Sequence, residues 1–247
     1  MGLSLKESLF FSDNGGLVMS LGSIFHDMWD IFVTSYIGQG LLASGVGYTL
    51  ALSAIAVLFG ALLGSLLAIG KMSRFKVLKF LITAFVEIMR GTPALLQLYI
   101  AYFIVPMIFS FAEMSPFTCV AVGLSLNSAA YVSEIIRSGI GAVDKGQTEA
   151  ARALGLTAKT TMLKVVLPQA VRNILPALGN EFVTIIKETS LASTFFVGEL
   201  MTTYAVIKGI TFNIIPTLMD IGIIYFIITF TLSKLLGLAE KKMKEGV

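Results

Sequence analysis

Three polar side chains recur within an apolar stretch of the sequence, residues 117 to about 136. Asn127, Tyr131 and Glu134 are spaced by four and three residues, so they share one side of a helix. Such groups can bind a polar ligand, although Glu134 could instead form a structural ion pair with Arg137 three residues later. Because the sequence offers no nucleophile–base set, histidine cluster or metal-ligand spacing, we predict binding rather than catalysis.

The composition indicates that these side chains are held by membrane-spanning helices. Charged residues make up 13% of the chain and apolar residues 56%, with a mean hydropathy of +0.87. Soluble domains carry about 25% charged residues. The net charge of +3 shows no basic stripe, so no nucleic-acid partner is expected.

Five apolar runs are long enough to cross a bilayer as helices, for which about 20 residues suffice. The five runs are 40–70, 93–112, 117 to about 136, 176–207 and 216 to about 236. Inside a bilayer every backbone polar group must be paired within the chain, which favours helices. We therefore predict an all-α integral membrane protein with about five transmembrane helices.

The distribution of basic residues predicts the orientation of the chain. Bases cluster after the first span, after the third span and at the C-terminus, and five spans place these segments on one side, predicted to be cytosolic. The opposite segments are richer in acids than in bases: Asp13, Asp27, Asp30, Glu113 and Glu199 against Lys6 and Lys208. The N-terminus is then outside and the C-terminus cytosolic.

Residues 1–38 are predicted to form an external or interfacial segment without a cleavable signal peptide. A sixth span over residues 17–37 would have to bury Asp27, Asp30 and His26, which is costly. We therefore interpret residues 17–37 as an amphipathic helix at the membrane interface.

The longest polar stretch, residues 137–173, has a helical pattern rather than that of a passive loop. Residues 147–154 are rich in alanine, and Gly155 stands where a left-handed residue would end a helix. Thr157 could cap a second helix over residues 158–167, which Pro168 would close. Small alanines allow close approach to a partner, and Glu149 and Arg152 offer charged contacts. We predict a docking helix, with an ordinary connecting loop as the alternative.

Several motifs in this order resemble those of ABC importer permeases of the polar amino acid branch, over about residues 40–240. Glu149-Ala150-Ala151, Gly155 and Leu167-Pro168 resemble the EAA loop of that family. The further matches are Val86-Glu87, Arg90-Gly91-Thr92-Pro93, Glu134-Ile135-Ile136-Arg137, Lys145-Gly146-Gln147, Leu167-Pro168-Gln169-Ala170 and Lys187-Glu188-Thr189-Ser190-Leu191. Relatives commonly have aspartate where this chain has Glu188, a change that keeps the charge.

The resemblance implies a transmembrane domain over residues 39–240, an EAA loop at about 138–172 and a cytosolic tail over 241–247. The EAA loop of such permeases forms a coupling helix that fits a groove of the ATPase subunit. The coupling residues implied here are Gly146, Gln147, Glu149, Ala150, Ala151, Arg152, Ala153 and Gly155.

The resemblance also implies the partners and the location of the chain. The partners are a pair of ATPase subunits, a second permease chain (identical or related), an extracytoplasmic binding protein and an amino acid substrate. The sequence contains no glycine-rich phosphate loop, so ATP and Mg²⁺ would be bound by the ATPase and no cofactor by this chain. The implied location is the bacterial cytoplasmic membrane. An ion-coupled secondary amino acid transporter, using Asp220 or Glu134, is the alternative, but it leaves the docking helix unexplained.

Residues 85–93 resemble residues 182–190 at an offset of 97 positions, which indicates either two parallel repeats or a chance similarity. Arg90 and Lys187 then occupy equivalent places before a helix break, where each base either snorkels to the interface or lines the pathway. Glu134 or Glu188 could bind a substrate ammonium, and Lys187 a carboxylate. The candidate pathway residues are Asn127, Tyr131, Glu134, Arg90, Lys187, Glu188, Thr189 and Ser190.

Overall fold

The computed structural model describes residues 10–11, 17–18, 21–109 and 113–245, with the side chains of residues 21–109 and 113–242. Lys6 and Asp13 of the predicted outer segment, residues 110–112 of the second apolar run and the final residues 246–247 lie outside these ranges. Two short strands, β1 (Phe10–Phe11) and β2 (Leu17–Val18), pair antiparallel.

Helices form nearly all of the remaining structure in the described ranges. They are α1 (Leu21–Ile31), α2 (Leu41–Lys71), α3 (Lys76–Gly91), α4 (Ala94–Ile108), α5 (Pro116–Gly141), α6 (Lys145–Ala153), α7 (Ala158–Thr161), α8 (Leu167–Glu188), α9 (Leu200–Thr211) and α10 (Ile214–Glu245). Phe32–Ile37 and Met162–Val166 are π-helical, and Thr189–Phe195 is a 3₁₀-helix. The predicted all-α class is confirmed.

Among the described residues, three single helices are long and apolar enough to cross a membrane. Two further pairs of helices, each bent at a break, bring the number to the predicted five if each pair counts as one span. The single helices cover Leu41–Lys71, Pro116–Gly141 and Ile214–Lys242. Helices α3 and α4 meet at 115°, and the segment Ala158–Phe195 meets α9 at 47°. The first break falls at Thr92 and Pro93, where the sequence places it, because proline lacks the N–H that would continue the helix.

The second predicted span is shorter than its apolar run suggests. Helix α4 has 15 residues, which is about 22 Å of helix, while the hydrocarbon core is about 30 Å thick. Among the described residues, α4 reaches the length of a span only together with α3, and residues 110–112 of the predicted run lie outside them.

Helix α5 is the centre of the fold, since 67% of its most apolar window is buried, compared with 33% for α2 and 11% for α10. Glycines on α2 allow these two helices to touch. A Cβ on Gly60 would lie 2.5 Å from the Ser128 Oγ, and one on Gly64 would lie 2.7 Å from the Val132 Cβ. Any side chain at these positions would force α2 away from α5.

The N-terminal helix packs against α10 at one end of the bundle. Met28 and Ile31 are buried, and the Tyr36 hydroxyl donates a 3.2 Å hydrogen bond to the Thr217 carbonyl. Burial raises the pKa of the Tyr36 phenol, which therefore stays a neutral donor. Phe25 and Trp29 remain exposed. The interfacial position of this helix stays a prediction.

Candidate functional site

The predicted docking helix is present as α6, and both of its ends are capped. At its start the Asp144 Oδ1 accepts a 2.6 Å hydrogen bond from the Gly146 N–H. At its end Gly155 has a φ of +84°, and the N–H groups of Gly155 and Leu156 donate to the carbonyls of Arg152 and Ala151 at 3.0 and 3.2 Å. This pair of bonds is the Schellman motif. The predicted left-handed cap at Gly155 is therefore confirmed.

The segment after α6 departs from the prediction at Pro168. The Thr157 Oγ1 accepts from the Thr160 N–H at 3.2 Å and caps α7, as expected. The chain then continues through a π-helical turn directly into α8, so Pro168 does not close a helix. In that turn the Leu167 N–H bonds to the Met162 carbonyl, and Pro168 occupies the first turn of α8, where an N–H is not required.

Helix α6 presents most of its surface to the outside of the chain. Ala151 is buried with 5% of its surface accessible, while Glu149, Ala150 and Ala153 are exposed. The Glu149 carboxylate makes no ion pair with any described residue. The two caps thus fix a helix whose exposed face consists of small and charged side chains. Its assignment as the coupling surface stays a prediction.

The other predicted coupling residues are bound within the loop itself. The Arg152 guanidinium donates a 2.6 Å bond to the Leu156 carbonyl beyond the end of α6. The Gln147 Oε1 accepts a long bond of 3.4 Å from the Gln169 amide on α8. The first contact closes the end of α6, and the second attaches α6 to α8.

Glu134 lies in an ion-pair cluster that joins α2 to α5. The Lys71 ammonium donates to the Glu134 Oε2 at 3.1 Å, and the Arg137 Nε donates to the Oε1 at 2.6 Å. The pair with Arg137 is the alternative that the sequence left open. Lys71 was missed as a partner because it lies 63 positions earlier in the chain. Both oxygens of Glu134 are engaged, which is the geometry of a structural clamp.

Asn127 forms a hydrogen-bonded network with Gln97, a residue that sequence reasoning missed. The Asn127 amide donates to the Gln97 Oε1 at 2.8 Å. The Gln97 amide donates in turn to the carbonyls of Met89 and Thr92, at 2.7 and 3.1 Å, and to the Thr92 Oγ1 at 2.9 Å. Gln97 therefore fastens the α3–α4 break to α5. The sequence did offer one indication of this role, because Gln97 is an isolated amide side chain within the uncharged run 93–112.

Arg90, Tyr131 and Glu134 meet at a cleft of about 340 Å³ between α3, α5 and α8. The Arg90 guanidinium carbon lies 5.8 Å from the centroid of the Tyr131 ring, which is a cation–π contact. Ser138 and Asn173 also line this cleft. The structure thus brings three of the predicted pathway residues together at one polar opening.

The residues Lys187 to Ser190 lie at the end of α8 and do not line this cleft. Lys187 is exposed, and the hydroxyls of Thr189 and Ser190 donate back to the carbonyls of Ile186 and Lys187. The Glu188 Oε2 is buried without a hydrogen-bond partner among the described residues. A negative group is thereby left open to a donor.

A second acid lies near Glu188 on α8. The Glu181 side chain, two turns before Glu188, is buried and lies near both Glu188 and Ser128. The Asn127 Oδ1 and the Ser128 Oγ also lack a hydrogen-bond partner within the described part of the chain. The carboxyl groups of Glu181 and Glu188 are thus close together on α8, in a setting that suits a cationic ligand group.

The possible internal repeat matches the helix ends but not the geometry that follows. Helix α3 ends at Gly91 and α8 ends at Glu188, the same offset of 97 positions that relates the two sequences. The first half then turns by 115° into α4, whereas the second continues as a 3₁₀-helix and turns by 47° into α9.

Glu199 has a structural position that its charge did not suggest. The sequence assigns it to the outer loops, yet it is fully buried at the start of α9. Its carboxylate accepts from the N–H groups of Met201 and Thr202 at 2.5 and 2.8 Å, and from the Tyr225 hydroxyl at 3.2 Å. Glu199 therefore caps α9 and connects it to α10.

Comparisons with known proteins place this arrangement in context. Residues 56–245 match the family described as binding-protein-dependent transport system inner membrane component. The chain is 38% identical over 205 residues to the arginine transport system permease protein ArtQ of Bacillus subtilis, covering 83% of this chain and 93% of that protein. It is 39% identical over 216 residues to a putative glutamine transport system permease protein GlnP of Rickettsia felis, covering 87% and 99%.

Two further similarities concern a cystine permease and a solved structure. The L-cystine transport system permease protein TcyB of Bacillus subtilis is 36% identical over 220 residues, covering 89% of this chain and 92% of that protein. A crystal structure of an amino acid ABC transporter with histidines superposes with a TM-score of 0.80 at 42% identity, covering 85% and 98% of the two chains. The described fold is thus shared with a protein of known architecture.

Proposed function

The chain belongs to the family of binding-protein-dependent transport system inner membrane components, and we propose that it is the permease subunit of an ATP-binding cassette importer for amino acids. Its relatives are named for the transport of arginine, glutamine and L-cystine, and the similar solved structure is an amino acid transporter. These compounds share an ammonium and a carboxylate next to a polar or charged side chain, which defines the proposed substrate class.

The observation that carries this proposal is the exposed and doubly capped helix α6. A helix fixed at Asp144 and at Gly155, with an uncovered face of small and charged residues, is suited to dock into a groove of another subunit. The chain itself has no phosphate-binding loop, so the proposed partner is a separate pair of ATPase subunits that bind ATP and Mg²⁺. The permease then contributes binding and geometry rather than covalent chemistry.

The remaining partners follow from the same function. A single chain of three to five spans encloses little space, so a second permease chain is proposed to complete the pathway. An extracytoplasmic binding protein delivers the substrate. The basic segments following α2 and α5 would face the cytosol, which leaves the N-terminus outside and the C-terminus inside.

Within the pathway we assign the substrate ammonium to Glu188 rather than to Glu134. Glu134 already uses both oxygens on Lys71 and Arg137, whereas the Glu188 Oε2 is buried and unpaired within the described part of the chain. A charged group of the substrate entering this region would supply the missing donor. Lys187, the preceding residue, is exposed and available to a carboxylate.

The proposal is tested by uptake of labelled amino acids into proteoliposomes that contain the permease, its ATPase and its binding protein. A panel including arginine, glutamine and cystine would be supplied with internal ATP, or with a proton or sodium gradient and no ATPase. We expect uptake of at least one amino acid with ATP alone. Uptake that runs on the ion gradient without the ATPase would establish the secondary-transporter alternative instead.

The role of Glu188 is tested in the same vesicles. Glu188→Gln is expected to raise the KM for the transported amino acid by about tenfold or more, since a lost charged contact is worth on the order of 1.5–3 kcal/mol. Glu188→Asp keeps the charge, so it should retain most of the affinity. Equal KM values for both variants would remove Glu188 from the binding site.

A further inference from the structure

A cleft of about 890 Å³ opens on the side of the bundle between α2, α5 and the beginning of α8, away from the polar opening at Arg90. Its lining is apolar and partly uncovered: the side chains of Ile69, Met72 and Leu163 are 67%, 54% and 51% exposed. Val171 and Leu175 of α8 continue the same surface. An apolar surface of this kind requires a covering partner.

The length of the cleft corresponds to one leaflet of a bilayer. It is lined on α2 from Ala61 to Met72 and on α8 from Leu167 to Leu178, which is about 16 Å of helix on each side. The hydrocarbon core of a bilayer is about 30 Å thick, so a leaflet measures about half of that. The cleft thus has the dimensions of a groove for acyl chains that lie along the helices.

Arg74 stands at one end of this groove, in the connection between α2 and α3. It is the one charged side chain among the described residues that line the cleft. Arg74 is exposed, and it takes part in no ion pair with another described residue. The groove is therefore amphipathic along its length, with apolar walls and a cationic end.

We propose that this groove is a specific site for an anionic phospholipid, whose acyl chains lie between α2 and α8 and whose phosphate is bound by Arg74. A guanidinium donates charge-assisted hydrogen bonds to phosphate oxygens, and a basic side chain near the membrane surface attracts anionic lipids. The site is independent of the amino acid that the permease carries.

A lipid fits this groove better than a second copy of the chain. Two copies in one membrane are related by an axis along the membrane normal, so each brings the same residues to the same depth. The connection that follows α2 carries Arg74, and α3 begins with Lys76. A second copy would place these cations against one another, whereas an anionic head group neutralises them.

The position of the site connects it to the coupling segment. Met162 and Leu163 of the π-helical turn line the groove, and this turn joins the segment after α6 to α8. A lipid held between this turn and the end of α2 bridges two parts of the chain that belong to different spans. We therefore expect lipid binding to raise the thermal stability of the assembled transporter.

The test is to purify the complete transporter in detergent, exchange its lipids, and quantify by mass spectrometry the phosphatidylglycerol and phosphatidylcholine that remain bound. We expect phosphatidylglycerol to be retained selectively. Arg74→Gln should lower that retention about fivefold, as expected for one basic side chain near an anionic lipid. Lys79→Gln, an exposed base outside the groove, is the matched control and should have no effect.

A second variant separates the groove from the charge. Val171→Trp fills the groove while Arg74 remains, and it should also lower retention of phosphatidylglycerol. Soluble glycerol phosphate should not displace the lipid, because it lacks acyl chains. Equal retention of both lipids, equal effects of Arg74→Gln and Lys79→Gln, or a Val171→Trp variant that changes the oligomeric state but not lipid retention would overturn the proposal.

Discussion

The Lys71 ammonium lies 3.1 Å from the Glu134 Oε2. This ion pair joins the last residue of α2 to a residue about two turns before the end of α5. The side chains of Lys71 and Glu134 are only 10% and 18% exposed. Arg137 shares the same carboxylate from the following turn. This end of the helix pair is therefore held by one acid between two bases.

Removal of the shared acid should destabilise the protein more than removal of one base. Glu134→Gln leaves two cations without their carboxylate, whereas Lys71→Met leaves Glu134 paired with Arg137. We expect Glu134→Gln to cost about 1–3 kcal/mol of stability, and Lys71→Met less. Thermal unfolding in detergent measures both. The double variant should lose less than the sum, and strictly additive losses would contradict the ion pair.

The same variant decides between the two roles of Glu134. If it is a structural clamp, Glu134→Gln lowers the melting temperature and leaves the KM for the transported amino acid within about twofold of wild type. A tenfold increase in KM at unchanged stability would instead identify Glu134 as a substrate ligand. Lys76→Met, an exposed base at the start of α3, serves as the control for charge removal at this end.

Apolar run length and proline position were enough to predict the spans and the first break from sequence. Gly91, Thr92 and Pro93 marked the point where α3 ends, although the 115° turn that follows depends on tertiary contacts. The Lys71–Glu134 pair could not be predicted, because residues 63 positions apart meet only once α2 and α5 are packed. Spacing along one helix could predict only the pair of Glu134 with Arg137, three residues later.

Gln97 is expected to be essential for the geometry of the α3–α4 break. Its amide donates to Met89 and Thr92 in a part-buried setting, and its oxygen accepts from Asn127 in a buried one. Gln97→Leu leaves these groups unpaired, with a loss of about 1–3 kcal/mol for each buried unsatisfied group. Thermal unfolding and expression level in the membrane report this loss. Asn180→Leu, at an exposed site, is the control, and an equal effect of both would refute the network.

Gly155 should be required for the shape of the coupling segment rather than for packing. Its φ is +84°, yet a Cβ added there would meet nothing within 4 Å, so the cost of a substitution is backbone strain alone. Gly155→Val is expected to cost about 1–2 kcal/mol locally and to weaken binding of the purified ATPase. Gly155→Asn tolerates a left-handed conformation and should bind nearly as well as wild type. Equal binding of the two variants would exclude the cap as the cause.

Glu199 is expected to act through structure alone. Glu199→Ala removes the carboxylate that caps α9 and accepts from Tyr225, so we expect a loss of about 1–3 kcal/mol in stability. Tyr225→Phe removes one of these bonds and should cost about 1 kcal/mol. Glu113→Ala, an exposed acid, should leave the melting temperature unchanged. A stable Glu199→Ala protein with lost transport would point to a functional role instead.

The roles of two residues depended on local backbone geometry. The charge distribution places Glu199 in an outer segment but does not show that its carboxylate is buried, held at a helix N-terminus by free N–H groups. Pro168 was taken as a helix end, but a π-helical turn before it puts the proline in the first turn of α8. Both features depend on backbone hydrogen bonds, which cannot be predicted from the amino-acid composition.

We propose that α6 couples ATP hydrolysis by a separate subunit to amino acid transport through this chain. The most direct measurement follows ATP hydrolysis and amino acid uptake together in proteoliposomes, for wild type and for Glu149→Lys at the exposed face of α6. We expect ATP-dependent uptake by wild type, and loss of uptake by Glu149→Lys while the protein still inserts and assembles. Uptake by Glu149→Lys at the wild-type rate per ATP hydrolysed would contradict it.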